Sequence, residues 1–257
     1  MQHPFTCLVS GPTGSGKTSL VKEIIAQNVI EPQPQHILWL YAEDQPLYKS
    51  MKNVIFHQGI PDDIEERFNP RVINLLIIDD LMTKCHSDER MTRLFSVGSS
   101  HKNLSIIFIV HNLFHYGREM RSISLNSHYI ILFKNPRDNQ QVRTLGSQMY
   151  PGRSRFFIEA FQDATAKPHG YIFIDLKPKT PDIIRVRGGI LPEDKHIVYI
   201  GQQSIQTPLY IDVPSSQHVS EKDKGKRIIS TSSRQKRGTK KKKIARAGNK
   251  GRTFKLI

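Results

Sequence analysis

The strongest chemical signal in the chain is a run of residues from Gly11 through Pro12, Thr13, Gly14, Ser15, Gly16 and Lys17 to Thr18, a G-x-x-x-x-G-K-[ST] pattern. A phosphate chain is held by several backbone N–H groups converging on it, and only a loop with little side-chain bulk wraps that closely. A helix starting near Lys17 adds the positive end of its dipole. Lys17 then supplies the cation for the β- and γ-phosphates, and the Thr18 hydroxyl is a ligand for Mg2+. The pattern predicts a site for ATP with Mg2+.

Two carboxylates, Asp79 and Asp80, follow an apolar run at 73–78. A carboxylate at a strand's C-terminal edge beside such a loop can hold Mg2+ through water. A second acid directly after it can polarise the attacking water. The pair therefore argues for hydrolysis rather than binding alone, with Asp79 as the metal acid and Asp80 as the base. His111 and Asn112 close another apolar run, and one of them is placed to sense the γ-phosphate or orient water. Arg118 and Arg121, just beyond, are candidates for an arginine that completes a neighbouring subunit's site in a ring. Arg90 and Arg93 are further candidates. His101, His115 and His128 show no metal-ligand spacing.

These residues need a scaffold that brings them to one edge. PFTCLVS at 4–10 and HILWLYA at 36–42 read as buried strands. So do INLLIIDDL at 73–81, SIIFIV at 105–110 and HYIILFKN at 128–135. Ile55-Phe56 reads as a short strand. Leu20, Val21, Ile24 and Ile25 form one stripe of a helix over 18–28, ended by EPQPQ. Helices are also expected at 61–68, 87–101 (with Met91, Leu94 and Phe95), 138–149 and 154–164. GYIFIDL at 170–176 and DIIRVRG at 182–188 read as a late hairpin. All-apolar strands separated by helices predict an α/β fold with a mostly parallel sheet covered on both faces.

Charge divides the chain. Of its 257 residues, 38 are Lys or Arg and 23 are Asp or Glu, a formal net +15. Residues 215–257 alone hold 15 basic residues against Glu221 and Asp223, a net +13. The remainder is nearly neutral, which excludes a uniformly basic histone-like protein. The basic tail, expected to be disordered alone, points to a polyanion as partner. Its TKKKKIAR and RQKRG runs read as a nuclear-localisation signal, a phosphate-binding arm or both. The longest apolar runs are far short of the roughly 20 residues a bilayer span needs, so no membrane partner is expected. Cys7 and Cys85 are too few for a disulfide framework. The sequence divides into an ATPase domain at 1–200, a linker at 201–214 and the tail at 215–257.

The order of motifs resembles a known family. GPTGSGKT, LLIIDDLM, NLSIIFIVHNLF, SLNSHYIILFKNPRD and GYIFIDLKP, spread over residues 4–195, are similar to the genome-packaging ATPases of the FtsK–HerA superfamily. The likeness is to the version encoded by Maverick/Polinton elements and adintovirus-like DNA viruses. That resemblance implies a RecA-like P-loop NTPase core and a homo-oligomeric ring that pumps double-stranded DNA into a preformed capsid. Capsid or portal components are then partners, and the host nucleus or the virion is the location. It implies the same roles for Lys17, Thr18, Asp79 and Asp80, and puts His111-Asn112 at the polar sensor position. Other readings stay open: a helicase or replication-associated P-loop ATPase, a small-molecule P-loop kinase, or a nucleotide-regulated DNA-condensing protein.

Overall fold

Strands with apolar residues on both faces can be stable only inside a sheet covered on both sides, and the computed structural model builds that sheet. It describes residues 1–81, 94, 102–114, 123–201 and 209–212. The elements in chain order are β1 (Thr6–Ser10), α1 (Lys17–Ala26), β2 (His36–Tyr41), β3 (Ile55–Gln58), β4 (Asn74–Asp79), β5 (Leu104–Val110) and β6 (Tyr129–Phe133). They continue with α2 (Gln140–Met149), α3 (Ser154–Ala164), β7 (Tyr171–Asp175), β8 (Val186–Gly188), β9 (Ile197–Ile200) and β10 (Leu209–Asp212).

The strands form one sheet in the order β10-β9-β8-β7-β6-β1-β5-β4-β2-β3. From β6 to β3 all pairings are parallel. From β6 to β10 they are antiparallel. The fold is thus the expected α/β P-loop architecture, with a parallel half and an antiparallel wing. The late hairpin is present as β7–β8 and continues into β9 and β10.

Alternation along β1 and the residue before it divides the core. Phe5, Cys7 and Val9 face α1, packing with Leu20, Val21, Ile24 and Trp39. Leu8 faces the opposite layer, where Val142 and Leu145 of α2 meet Phe157 and Phe161 of α3. Period 2 in the strand thereby splits a continuous apolar run between two helical layers. Phe157 is fully buried, and a Cβ at Gly146 would stand 3.0 Å from its ring. Truncating Phe157 to Ala should cost about 3–5 kcal/mol.

Three expectations need correction. The acidic segment 61–68 is a succession of turns, with Ile64 N–H donating to Pro61 O at 3.2 Å and Glu66 N–H to Asp63 O at 2.9 Å. These bonds span three residues rather than four, and Pro70 disfavours helical backbone at Asn69, so no α-helix propagates and Ile64 and Phe68 reach the core from turns. Residues 182–184 are a 3-10 turn, and the strand begins only at Val186. Arg185 explains the delay, since its guanidinium donates to the carbonyls of Asp175, Lys177 and Thr180. Finally, β10 lies inside the stretch read as a linker and pairs antiparallel with β9. The helix expected at 87–101, except buried Leu94, lies outside the described residues. So do Arg90, Arg93, His101, Arg118, Arg121 and the basic segment 215–257.

Candidate functional site

The loop after β1 is built as its composition predicts. Gly14 and Gly16 have φ of 76° and 101°, the left-handed region that side chains disfavour. Gly11 needs its missing side chain for a different reason. A Cβ there would stand 2.7 Å from Phe133 Cβ and 2.8 Å from Ser15 Oγ. The loop closes on Pro12 O, which accepts from Ser15 N–H at 3.2 Å and Lys17 Nζ at 2.9 Å. Gly11 N–H donates to Val110 O at 3.2 Å and ties the loop to the tip of β5.

Helix α1 starts at Lys17 with Gly16 as its N-cap and no side-chain cap. The N–H groups of its first turn therefore face the concavity of the loop. Among the described residues Ser15 Oγ, close to Gly11, is buried without a hydrogen-bond partner. Lys17 is 7% exposed. Burial pulls its ammonium below the ordinary lysine range, and the Asp79 and Asp80 carboxylates oppose that shift.

Register sets the acids beside the loop. Ser10 pairs with Val110 and Asp79 with Ile109, so β5 alone separates the phosphate loop from the acidic strand. Asp79, the last residue of β4, is buried. Its Oδ2 accepts from Thr18 Oγ1 at 3.2 Å and from Tyr48 Oη at 3.0 Å. Burial lifts the Asp79 carboxyl above the usual carboxylate range, against the pull of those hydrogen bonds and of Lys17. Thr18 and Asp79 present hard oxygen donors at one point, a set that fits Mg2+.

Asp80 turns away from the strand with φ of 55°, a conformation Asp tolerates better than most residues. That turn brings its carboxylate out to 3.1 Å from His111 Nε2 at the tip of β5. The two candidate sensors are thereby separated. His111 meets Asp80, whereas Asn112 Oδ1 accepts from its own Phe114 N–H at 2.9 Å. The structure brings together residues 11–18, Asp79, Asp80 and His111.

Three contributors left no spacing signal. Tyr48 comes from a 3-10 turn, Pro46–Ser50, and is fixed by Trp39 and by stacking on Phe56 at 4.9 Å between centroids. Gln141 of α2 accepts from Leu113 N–H at 2.7 Å and donates to Asp138 at 2.5 Å, holding the segment after β5. His169, just before β7, places Nδ1 3.1 Å from Ser15 O.

No family model matches the chain, and no curated protein matches it. Solved structures that resemble it include B204, the DNA-packaging ATPase of Sulfolobus turreted icosahedral virus, at 12% identity and TM-score 0.47, covering 70% of this chain and 96% of that one. The genome-packaging NTPase B204 of Sulfolobus turreted icosahedral virus 2, in complex with ATP-gammaS, gives 12% and 0.46, over 68% and 94%. The ATPase DotB of Legionella pneumophila gives 13% and 0.33, over 49% and 40%. At such identities the chemistry has to be argued from the site itself.

Proposed function

We propose that this protein hydrolyses ATP with Mg2+ and uses the energy to move double-stranded DNA, packaging a viral or virus-like genome into a capsid. The observation that supports the enzymatic part most strongly is the meeting of Thr18 and Asp79 at 3.2 Å, directly under the phosphate loop. Backbone N–H groups of the loop and α1 bind the phosphates, and Lys17 neutralises the β/γ pair. Thr18 and Asp79 would hold Mg2+, whose chemistry when bound is to neutralise charge on the β- and γ-phosphate oxygens. Asp80 is exposed enough to meet water and accepts its proton. His111, with Nε2 protonated, donates to that carboxylate and orients it.

The DNA part draws support from the net +13 of residues 215–257, which suits phosphate binding that reads no sequence. Packaging is supported by the family resemblance of the motif series. On this reading the active form is a homo-oligomeric ring docked on capsid or portal components, and Arg118 or Arg121 reaches the neighbouring subunit's γ-phosphate. The basic tail also serves as a nuclear address. The experiment is ATP hydrolysis with and without long duplex DNA. Stimulation of several-fold is expected, and an unchanged rate at saturating duplex would contradict the translocase reading.

A further inference from the structure

The chain turns after β5 and buries Leu113, which is 1% exposed. A buried N–H there needs an acceptor. Two side chains hold the backbone of this turn. Asn112 Oδ1 accepts from Phe114 N–H at 2.9 Å, a bond within the turn itself. Leu113 N–H donates to Gln141 Oε1 at 2.7 Å, across 28 residues of chain. The second bond ties the turn to a different element, the first turn of α2.

Gln141 is itself held. It is buried, and its Nε2 donates to Asp138 Oδ2 at 2.5 Å. Asp138 Oδ1 accepts from the N–H groups of Gln140 and Gln141 at 3.1 and 3.3 Å. That satisfies two of the open donors at the start of α2. One carboxylate thus fixes the helix end and the amide together, and the amide turns its oxygen to Leu113. Behind it, Val142 and Leu145 anchor α2 in the core.

His111 stands at the head of the same turn, with Nε2 3.1 Å from Asp80 Oδ2. The clamp lies close to it. His111, Gly11, Asn135, Asp138 and Gln141 all line one cleft of about 10 Å3, no more than the room of a single water.

We infer that Gln141 is a positioning residue for ATP hydrolysis, which acts through the backbone of the β5 turn to present His111 to Asp80. Its amide is engaged by Leu113 and Asp138, so its effect on the reaction is indirect. Asp138 keeps the amide in register. A misplacement of about 1 Å at a reacting centre can cost about a hundredfold in rate, so a clamp on this turn bears on the chemical step. The inference rests on the reading of Asp80 as the base and His111 as its orienting partner.

The test is steady-state hydrolysis of Mg·ATP by the full chain, with melting temperatures alongside. Gln141→Glu keeps an acceptor for Leu113 N–H but sets two carboxylates against each other. It should lower kcat by about 10- to 100-fold with KM unchanged. Adding Asp138→Asn reverses donor and acceptor between the two side chains, and should restore kcat to within about threefold of wild type. In a His111→Ala background Gln141→Glu should cause no further loss, because the residue through which it acts is gone. A folded Gln141→Glu protein with wild-type kcat would overturn the inference. So would a rise in KM alone, a full additional loss in the His111→Ala background, or no recovery on adding Asp138→Asn. Loss of folding in both the single and the double variant would make Gln141 a structural residue and overturn its role. Wild type that releases no phosphate from Mg·ATP would instead remove the reading of Asp80 and His111, and this inference with it.

Discussion

Tyr48 Oη and Thr18 Oγ1 both donate to one oxygen of Asp79, at 3.0 and 3.2 Å. On the function proposed above, the threonine would serve as a metal ligand. The tyrosine has a different task, because its ring is locked among Trp39, Tyr41 and Phe56. It fixes the carboxylate's orientation through the hydrogen bond to Oδ2.

Tyr48→Phe should therefore leave the fold intact, since the ring packing is unchanged, and weaken the apparent Mg2+ affinity in the ATPase assay about tenfold. A hydrogen bond to a charged acceptor is worth about 1.5–3 kcal/mol. Titrating Mg2+ at saturating ATP checks this. An unchanged Mg2+ requirement would show that Tyr48 only fills space.

Asp79→Asn and Asp80→Asn should separate. The first should weaken Mg2+ dependence and nucleotide binding together. The second should keep Mg·ATP binding and slow turnover by about 10²–10⁴, because it retains shape and loses the base. Binding by calorimetry and single-turnover rates on both variants decide the matter, and identical profiles would refute the division of roles.

The Asp79 variant also makes a stability prediction. Folding raises this carboxyl's pKa above the ordinary 3.8, so the folded state holds the proton more tightly than the unfolded chain does. That contribution is fully present below the unfolded value and is lost as pH rises through the folded one. At neutral pH the buried charge is a net cost. Asp79→Asn keeps an acceptor for Tyr48 and Thr18, so without ligand it should melt above wild type at pH 7, by about 2–4 °C per kcal/mol gained. The gain should shrink as pH falls toward 3.8. A variant that melts lower at pH 7 would show that the charge is compensated in place.

Much of this site is legible in the sequence because its signals are local. The phosphate loop is contiguous, and Asp79 and Asp80 directly follow Leu75-Leu76-Ile77-Ile78, a run that can only be a buried strand. Tyr48 and His169 are not legible for the opposite reason. They meet their partners across 31 and 154 residues of chain, so topology and not spacing delivers them. The choice between His111 and Asn112 depends on which way the chain turns after β5, and the side chain of Asn112 is taken up by its own turn. Segment 61–68 misleads because acidic, amphipathic composition is shared by short helices and by turn series. β10 escapes notice because it follows a break in the apolar pattern and gains its strand character by pairing with β9.

Removing residues 215–257 should flatten the salt dependence of duplex DNA binding, by about 0.9 in log–log slope for each phosphate that is no longer neutralised. Basal ATP hydrolysis should hardly change, because the loop, the acids and His111 all precede residue 112. Binding measured across a salt series for the full and truncated chains checks this. An unchanged slope would put the DNA on the folded body instead.

The most direct measurement of ATP hydrolysis at this phosphate loop is steady-state phosphate release from Mg·ATP by purified wild type and Lys17→Ala, side by side. Lys17 is buried against the loop and donates to Pro12 O, so its loss removes the loop's cation without opening the hydrophobic core. Wild type should turn over, and the variant should fall by at least about a hundredfold, with an unchanged melting temperature in the absence of nucleotide. Near-normal hydrolysis by a folded Lys17→Ala protein would contradict the assignment of the loop as the catalytic phosphate site.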